Sequence, residues 1–339
     1  MRIVLDAMGS DQHPAPELEA ILVASRTWPD PILLTGPESL LRDRLQTMGA
    51  DLQQVTIIDA PEVIEMTDKP ASAARGKARN SMAVGMDLIK QGQADAFVTA
   101  GNTGGAMANA LFRLGRIRGV KRPALCGIFP VRDGHTAVLD IGANTDCKPE
   151  YLVQFAILGS VYAATVMGRP NPRVGLLSNG EEPGKGSLLV KDTYPLLEAA
   201  GLNFIGNIEP KELFAGAADV AVTDGFTGNV LEKTSEAVAS LLTRIIRDEI
   251  KGSPVTAIGG LLAKPAFDRV KKIMDPSEIG AAPLLGVDGL VFVGHGRSDA
   301  KALVSAIRVA REAVAGGLLQ AISGAIRSRL SALPVDDAS

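Results

Sequence analysis

Along most of its 339 residues this chain alternates short apolar segments with longer stretches of helical period. Residues 2–6, 32–35, 55–59, 96–99, 125–129, 136–140, 173–177, 203–206, 220–223 and 290–293 read as strands. Residues 16–26, 39–48, 72–91, 150–167, 187–200, 227–250 and 298–319 read as helices. Parallel strands need a crossover long enough to hold a helix, so this alternation predicts βαβ units and an α/β fold around a mostly parallel sheet. Six strand ends run into loops rich in Gly, Asn, Asp, Ser and Thr, at 6–11, 99–105, 140–146, 178–186, 223–229 and 294–299. In open parallel sheets ligands bind outside the carboxyl ends of the strands, so these six loops are expected to converge on one crevice. Any one of them is equally readable as ordinary turns and helix N-caps. Most open helices, whose exposed N–H groups favour anions.

Composition narrows the class. Hydrophobic residues at 46% against 22% charged allow a sizeable core, and only 4% aromatics argue against a β-sandwich. A net charge of −3 supplies no whole-chain field for nucleic acid, so no such partner is expected. Cys126 and Cys147 cannot make a disulfide framework, and no Cys/His spacing suits zinc, so neither metal nor cofactor is expected. The opening MRIVLDAMGS reads as a strand rather than a secretory signal, which makes a cytoplasmic protein the expectation. Residues 151–168 carry no charge but include Gln154, Ser160 and Thr165, and at membrane-spanning length they are short. They predict a buried core helix. Residues 1–330 are read as a single α/β unit and the polar tail 331–339 as frayed.

The familiar nucleotide motifs fail. Three residues rather than four separate Gly180 from Gly184, and Gly186 stands where a phosphate loop needs a hydroxyl for magnesium. Gly294-His295-Gly296 begins a dinucleotide fingerprint, but Asp299 occupies the third glycine's place. Of the histidines, His135 reads as structural, while His13 and His295 lie in the loops of interest. No Ser/His/Asp or Cys/His constellation can be assembled. An enzyme of this sequence is therefore expected to position two substrates rather than to form a covalent intermediate.

Through Asp6-Ala-Met-Gly9, the 99–105 loop, Asp140-Ile-Gly-Ala-Asn144, the stretch around Lys185, the 223–229 loop and the 294–299 loop, the chain resembles the PlsX family of phosphate acyltransferases. The resemblance runs from residue 2 to about residue 311, with Ser10, Asn80 and Gly105 departing from the usual glycine, serine and alanine. It implies transfer of a long-chain acyl group from acyl carrier protein to inorganic phosphate, giving acyl phosphate for bacterial phospholipid synthesis. It also implies a three-layer αβα fold like isopropylmalate dehydrogenase and phosphotransacetylase, a homodimer, and a product handed to a membrane glycerol-3-phosphate acyltransferase. Phosphate is already a nucleophile, so such an enzyme must hold it near the thioester carbonyl and stabilise the tetrahedral oxygen. Lys185, between Gly184 and Gly186, is the candidate mobile cation, and Asn229 the candidate oxyanion donor; the plain alternatives are a solvated lysine and an N-cap. Gly9, Asn102, Thr103, Asn144, Gly225 and His295 are expected to line the substrate site, with Asp6, Asp146 and Asp224 orienting those donors.

Residues 233–275 form a second feature. Apolar side chains recur at Ala237, Val238, Leu241, Leu242, Ile245, Ile246 and Ile250, followed by an uncharged stretch over 252–263 and a basic helix with Lys264, Arg269, Lys271 and Lys272. Eight Lys/Arg against five Asp/Glu make this hairpin +3 within a −3 chain. A protruding arm is expected, serving either dimerisation or binding. Val255, Ile258, Leu261, Leu262, Lys264 and Lys271 are its candidate contacts, and the resemblance implies dimerisation and peripheral membrane contact here. Anionic lipid and the acidic surface of acyl carrier protein would both suit it. Two other classes stay open: a phosphotransacetylase-like enzyme using acyl-CoA or a dehydrogenase of similar fold, and a non-catalytic anion-binding membrane scaffold.

Overall fold

A computed structural model of the chain describes residues 1–50 and 52–330, so the tail expected to fray lies outside the described residues. The first half comprises β1 (Ile3–Asp6), α1 (Ala15–Thr27), β2 (Ile32–Gly36), α2 (Glu38–Thr47), β3 (Val55–Asp59), α3 (Pro70–Gly76), α4 (Ser81–Lys90), β4 (Ala96–Thr99) and α5 (Thr103–Arg113). There follow β5 (Ala124–Val131), β6 (Gly134–Leu139), α6 (Pro149–Thr165), β7 (Val174–Leu177), α7 (Leu188–Ala199), β8 (Phe204–Ile208), α8 (Pro210–Ala215) and β9 (Val220–Val222). Last come α9 (Gly225–Lys251), α10 (Pro254–Met274), β10 (Ala282–Leu285), β11 (Val291–Val293), α11 (Ala300–Ala315) and α12 (Leu318–Leu330).

One sheet holds all eleven strands, in the order β3-β2-β1-β4-β11-β10-β5-β6-β9-β7-β8. Successive side chains of a strand face opposite ways, and the strands feed two cores accordingly. Ile3 and Leu5, Ala96 and Val98, and Val220 and Val222 join one core with α1, α6, α11 and α12. Val4, Phe97 and Ala221 join the other with α4, α5 and α8. Helices thus cover both faces, giving the expected three-layer αβα architecture. The uncharged segment is α6, whose Gln154 is buried and bonded at both ends of its amide, as a core helix requires.

The sheet is mostly parallel, as expected, but its two parallel blocks run in opposite senses. Neighbours are parallel from β3 through β2, β1 and β4 to β11, and again from β6 through β9 and β7 to β8. Between these blocks β10 runs antiparallel to β11, β5 antiparallel to β10, and β6 antiparallel to β5. Three reversals leave β6, β9 and β7 pointing opposite to β1, β4 and β11. The six loops therefore leave the sheet as two groups of three, in opposite senses, instead of in one direction.

Other boundaries shift for local reasons. The single helix expected over 72–91 is two, because Asn80 caps a new one: its Oδ1 accepts the Ala83 N–H at 2.9 Å and its Nδ2 donates to the Lys77 carbonyl at 2.6 Å. The helix expected over 298–319 breaks at the Gly316-Gly317 pair into α11 and α12, with Gly317 at φ 67°. In the arm, the uncharged stretch is helical from Pro254 on, after a turn at Gly252 and Ser253. Ser253 and Thr256 form a reciprocal cap and Pro254 takes the first turn, where its missing N–H is harmless. No helix among the described residues is long and apolar enough to cross a membrane.

Candidate active site

The loop after β6 is organised by one carboxylate. Asp140 is fully buried; its Oδ1 accepts the N–H groups of Leu125, Gly142 and Ala143 at 3.0, 3.2 and 3.0 Å. Its Oδ2 accepts the Asn144 N–H at 2.6 Å and the Asn144 Nδ2 at 2.9 Å. Burial pushes the Asp140 carboxyl up, while those donors pull it back toward the charged form. The N-terminus of α9 docks on this loop without side chains between. A Cβ on Gly225 would stand 2.6 Å from the Asn144 carbonyl oxygen, and one on Gly228 would run into the backbone carbonyl of Asp140. Asp224 caps α9, accepting the Thr227 N–H at 2.9 Å and its hydroxyl at 2.7 Å. Asn229 is exposed, with its Nδ2 donating to the Ile141 carbonyl at 3.2 Å.

Lys185 follows β7, which pairs with β9, which pairs with β6. Adjacent strands lie about 4.8 Å apart, so the Asn144 loop, the N-terminal turns of α9 that carry Asn229, and the Lys185 loop leave the same end of the sheet side by side. Asn207 ties the Lys185 loop down by donating to the Glu182 carbonyl at 2.9 Å. The Lys185 side chain is exposed and makes no hydrogen bond or ion pair among the described residues.

The second group lies after β1, β4 and β11. Asp6 is wholly buried and accepts the Met8 N–H at 3.0 Å and the Thr99 hydroxyl at 2.7 Å; Thr99 in turn accepts the Gly101 N–H at 2.9 Å. Gly9 packs on the 99–101 backbone, where a Cβ would stand 2.8 Å from the Ala100 nitrogen. The Asp11 N–H donates to the Gly296 carbonyl at 2.7 Å, interlocking the first and last loops. Asn102 caps α5, accepting the Gly105 N–H at 2.9 Å, and donates to the Met66 carbonyl at 3.1 Å. Thr103 is exposed beside it.

The two groups meet through α9. Glu236, eleven residues beyond Gly225 and hence about 16 Å along the helix, accepts from Arg297 at 3.1 Å and lies 3.8 Å from His295 Nε2. Burial, then the nearby Lys233 charge, hold the His295 imidazole below its ordinary range despite Glu236. Glu232, Glu236 and His295 could reach a common ion, but Lys233 and Arg297 already neutralise this corner.

The structure thus reassigns several expected roles. Gly9 and Gly225 are packing positions under the loops, because each lies against backbone. Asn144 spends both amide hydrogens on Pro123 and Asp140, at 2.8 and 2.9 Å, and acts as a strut. Asp6 holds the Met8 N–H and the Thr99 hydroxyl, and Asp224 caps α9, whereas Asp146 is exposed and bonds to nothing among the described residues. Sequence reading passed over Asp140 as an organiser; its place at a buried strand end, followed by Gly and Asn, was the available signal. Glu236 carried no signal at all.

Residues 1–321 match the sequence model of the family described as fatty acid synthesis protein. The phosphate acyltransferase of Elusimicrobium minutum is 47% identical over 323 residues, which is 95% of each chain. Among solved structures, a phosphotransacetylase from Streptococcus pyogenes superposes with a TM-score of 0.58 at 18% identity, covering 95% of this chain and 94% of that one. A 4-hydroxythreonine-4-phosphate dehydrogenase from Klebsiella pneumoniae gives 0.54 at 14%, covering 92% and 99%. These two structural likenesses show the fold, whereas the full-length sequence matches give more: the chain belongs to the PlsX family of phosphate acyltransferases.

Proposed function

We propose that the protein transfers a long-chain acyl group from acyl carrier protein to inorganic phosphate. A phosphate oxygen attacks the thioester carbonyl carbon; the tetrahedral intermediate then expels the carrier's sulfur, which leaves as thiolate and takes up a proton, and acyl phosphate remains. The observation carrying this reading is that Lys185, a cation with no side-chain hydrogen bond or ion pair among the described residues, and Asn229, an exposed amide, follow the adjacent parallel strands β7 and β9 at the same end of the sheet. Lys185 reaches over to neutralise phosphate, and the free amide hydrogen of Asn229 donates to the developing oxyanion. The protein offers no cysteine nucleophile to compete. Burial pushes the Cys126 thiol far up and holds Cys147 up at about 11, so both stay protonated near neutral pH.

The arm supplies the rest of the proposal. Val255, Ile258, Leu261 and Leu262 are all more than 60% exposed at its tip, and α10 buries none of its residues. The tip rests on a membrane surface peripherally, with Lys264 next to it, and the α9 stripe packs against a second copy; Lys271, expected as a tip contact, lies in the last turn of α10, about 25 Å along the helix from Pro254. This places the product where a membrane acyltransferase can take it.

Phosphate-dependent loss of the acyl-carrier thioester, with acyl phosphate trapped by hydroxylamine, tests the reaction. Lys185→Ala is expected to lower kcat on the order of a hundredfold in a folded protein. Turnover of acyl-CoA alone, or a requirement for a divalent metal and NAD(P), would replace this reading; wild-type rates in the lysine variant would remove the mechanism.

A further inference from the structure

Between Asp95 and Asp133 the chain has no acidic residue, yet it carries Arg113, Arg116, Arg118, Lys121, Arg122 and Arg132. Four of these cations fall within seven residues of the α5–β5 loop, and all four are exposed. Exposed arginines and lysines elsewhere in this protein commonly face carboxylates, but these do not. Arg116 donates to the Lys121 carbonyl and Arg122 lies 6.0 Å from the Tyr151 ring centre. Arg118 and Lys121 have no side-chain hydrogen bond or ion pair among the described residues. Asp288 meets the loop only through its backbone N–H, which donates to the Gly115 carbonyl at 3.1 Å.

The loop is held firmly while its charges stay free. Buried Gln154 of α6 accepts the Lys121 N–H at 2.8 Å and donates to the Gly119 carbonyl at 3.1 Å. The next residue but one, Pro123, accepts from Asn144 Nδ2, so the basic loop adjoins the Asp140–Asn144 loop that seats Asn229. An open cleft of about 400 Å³, lined by Leu111 and residues 115–120, runs along its base. Its apolar side chains point inward: Ile117 and Val120 are each 4% exposed.

We infer that the 116–122 loop is the docking surface for the acidic carrier protein that delivers the acyl thioester. The identity of the partner rests on the acyltransfer reading above; the surface's preference for an acidic partner rests on charge. Complementary fields speed encounter and fix orientation, and this field stands at the rim of the reacting site. A membrane is the poorer occupant, because interfacial binding needs apolar side chains to insert, and this loop presents none. The arm has those side chains. Carrier and lipid are thereby assigned to different surfaces of the molecule.

The test is the full-length double variant Arg118→Glu/Lys121→Glu, which touches no side-chain bond and spares Arg116. Anisotropy of dye-labelled holo carrier protein at low salt reads docking without turnover. The dissociation constant and the KM for acyl carrier are expected to rise roughly tenfold or more. The KM for phosphate and turnover of a small acyl-pantetheine thioester should not change. A carrier with surface acids changed to lysine should recover binding to the double variant. Unchanged carrier affinity overturns the inference, as does a loss confined to vesicle flotation, or equal loss with carrier and small thioester. Wild-type protein that binds carrier and spares its thioester upholds the docking surface while sinking the acyltransfer reading.

Discussion

At Gly228, α9 passes so close to the Asp140 carbonyl that no side chain fits, and the obstructing atom is backbone that cannot rotate away. Gly228→Ala is therefore expected to destabilise the protein by about 1–3 kcal/mol or more, the usual cost of overpacking. Gly184→Ala, in the Lys185 loop, would meet nothing within 4 Å and should change stability by less than about 0.5 kcal/mol. Urea unfolding of both variants checks the contrast; equal losses would mean that the α9–Asp140 contact does not position the site. Asn229 poses a finer question, since one amide hydrogen already serves the Ile141 carbonyl. Asn229→Ala removes both the tie and the proposed oxyanion donor, so kcat should fall on the order of a hundredfold. Phosphate KM should move little, because Lys185 remains.

At the scale of elements, legibility followed periodicity. Strands β1, β4 and β9 and helix α6 announced themselves by apolar runs with clear borders. Strand β10 did not: it is four residues long and contains Pro283, which speaks against a strand interior. Yet β10, with the β5–β6 hairpin, reverses the sheet, so the missed element is the one that splits six loops into two groups. Long-range contacts were equally silent, and Glu236 is the clearest case. It lies on an exposed helix and looks like a surface acid, but it joins α9 to His295 and Arg297 across the two groups. This contact has a pH signature. His295 titrates below its ordinary 6.5 because burial and neighbouring cations disfavour the charged form. As pH falls from above 6.5, the unfolded chain takes up the proton first, so the stability contributed by this residue declines on acidification. Removing the Glu236 charge, which favours the imidazolium, should push His295 lower still. An NMR titration of the His295 Cε1–H in wild type and Glu236→Gln reads both midpoints; an upward move in the variant would contradict the contact.

For the molecule as a whole, the unresolved demand is burial of the arm. Val238, Leu241, Leu242, Ile245 and Ile246 of α9 are each about half exposed, and Phe267, Val270 and Ile273 of α10 are also exposed. The helices touch closely near Gly260 and Ile250, where a Cβ on the glycine would strike the isoleucine, but the hairpin is too thin to cover itself. Contiguous apolar surface on this scale marks an interface. Its two ends differ chemically. The middle of α9 carries the apolar stripe, while the tip combines Val255 and Leu262, the two most exposed large apolar side chains among the described residues, with Lys264. A symmetric pair of arms would cover the stripe and leave the tips outward for lipid. The two functions should therefore separate by mutation. Ile245→Glu is expected to shift sedimentation toward monomer, and Leu261→Glu to leave the dimer intact while weakening flotation with anionic vesicles. Activity on carrier-bound acyl groups in solution should survive the second change, because the 27-residue helix α9, about 40 Å long, separates the tip from its own N-terminus at the Asp140 loop. If Leu261→Glu dissolved the dimer and left flotation alone, the assignment of stripe and tip would have to be exchanged.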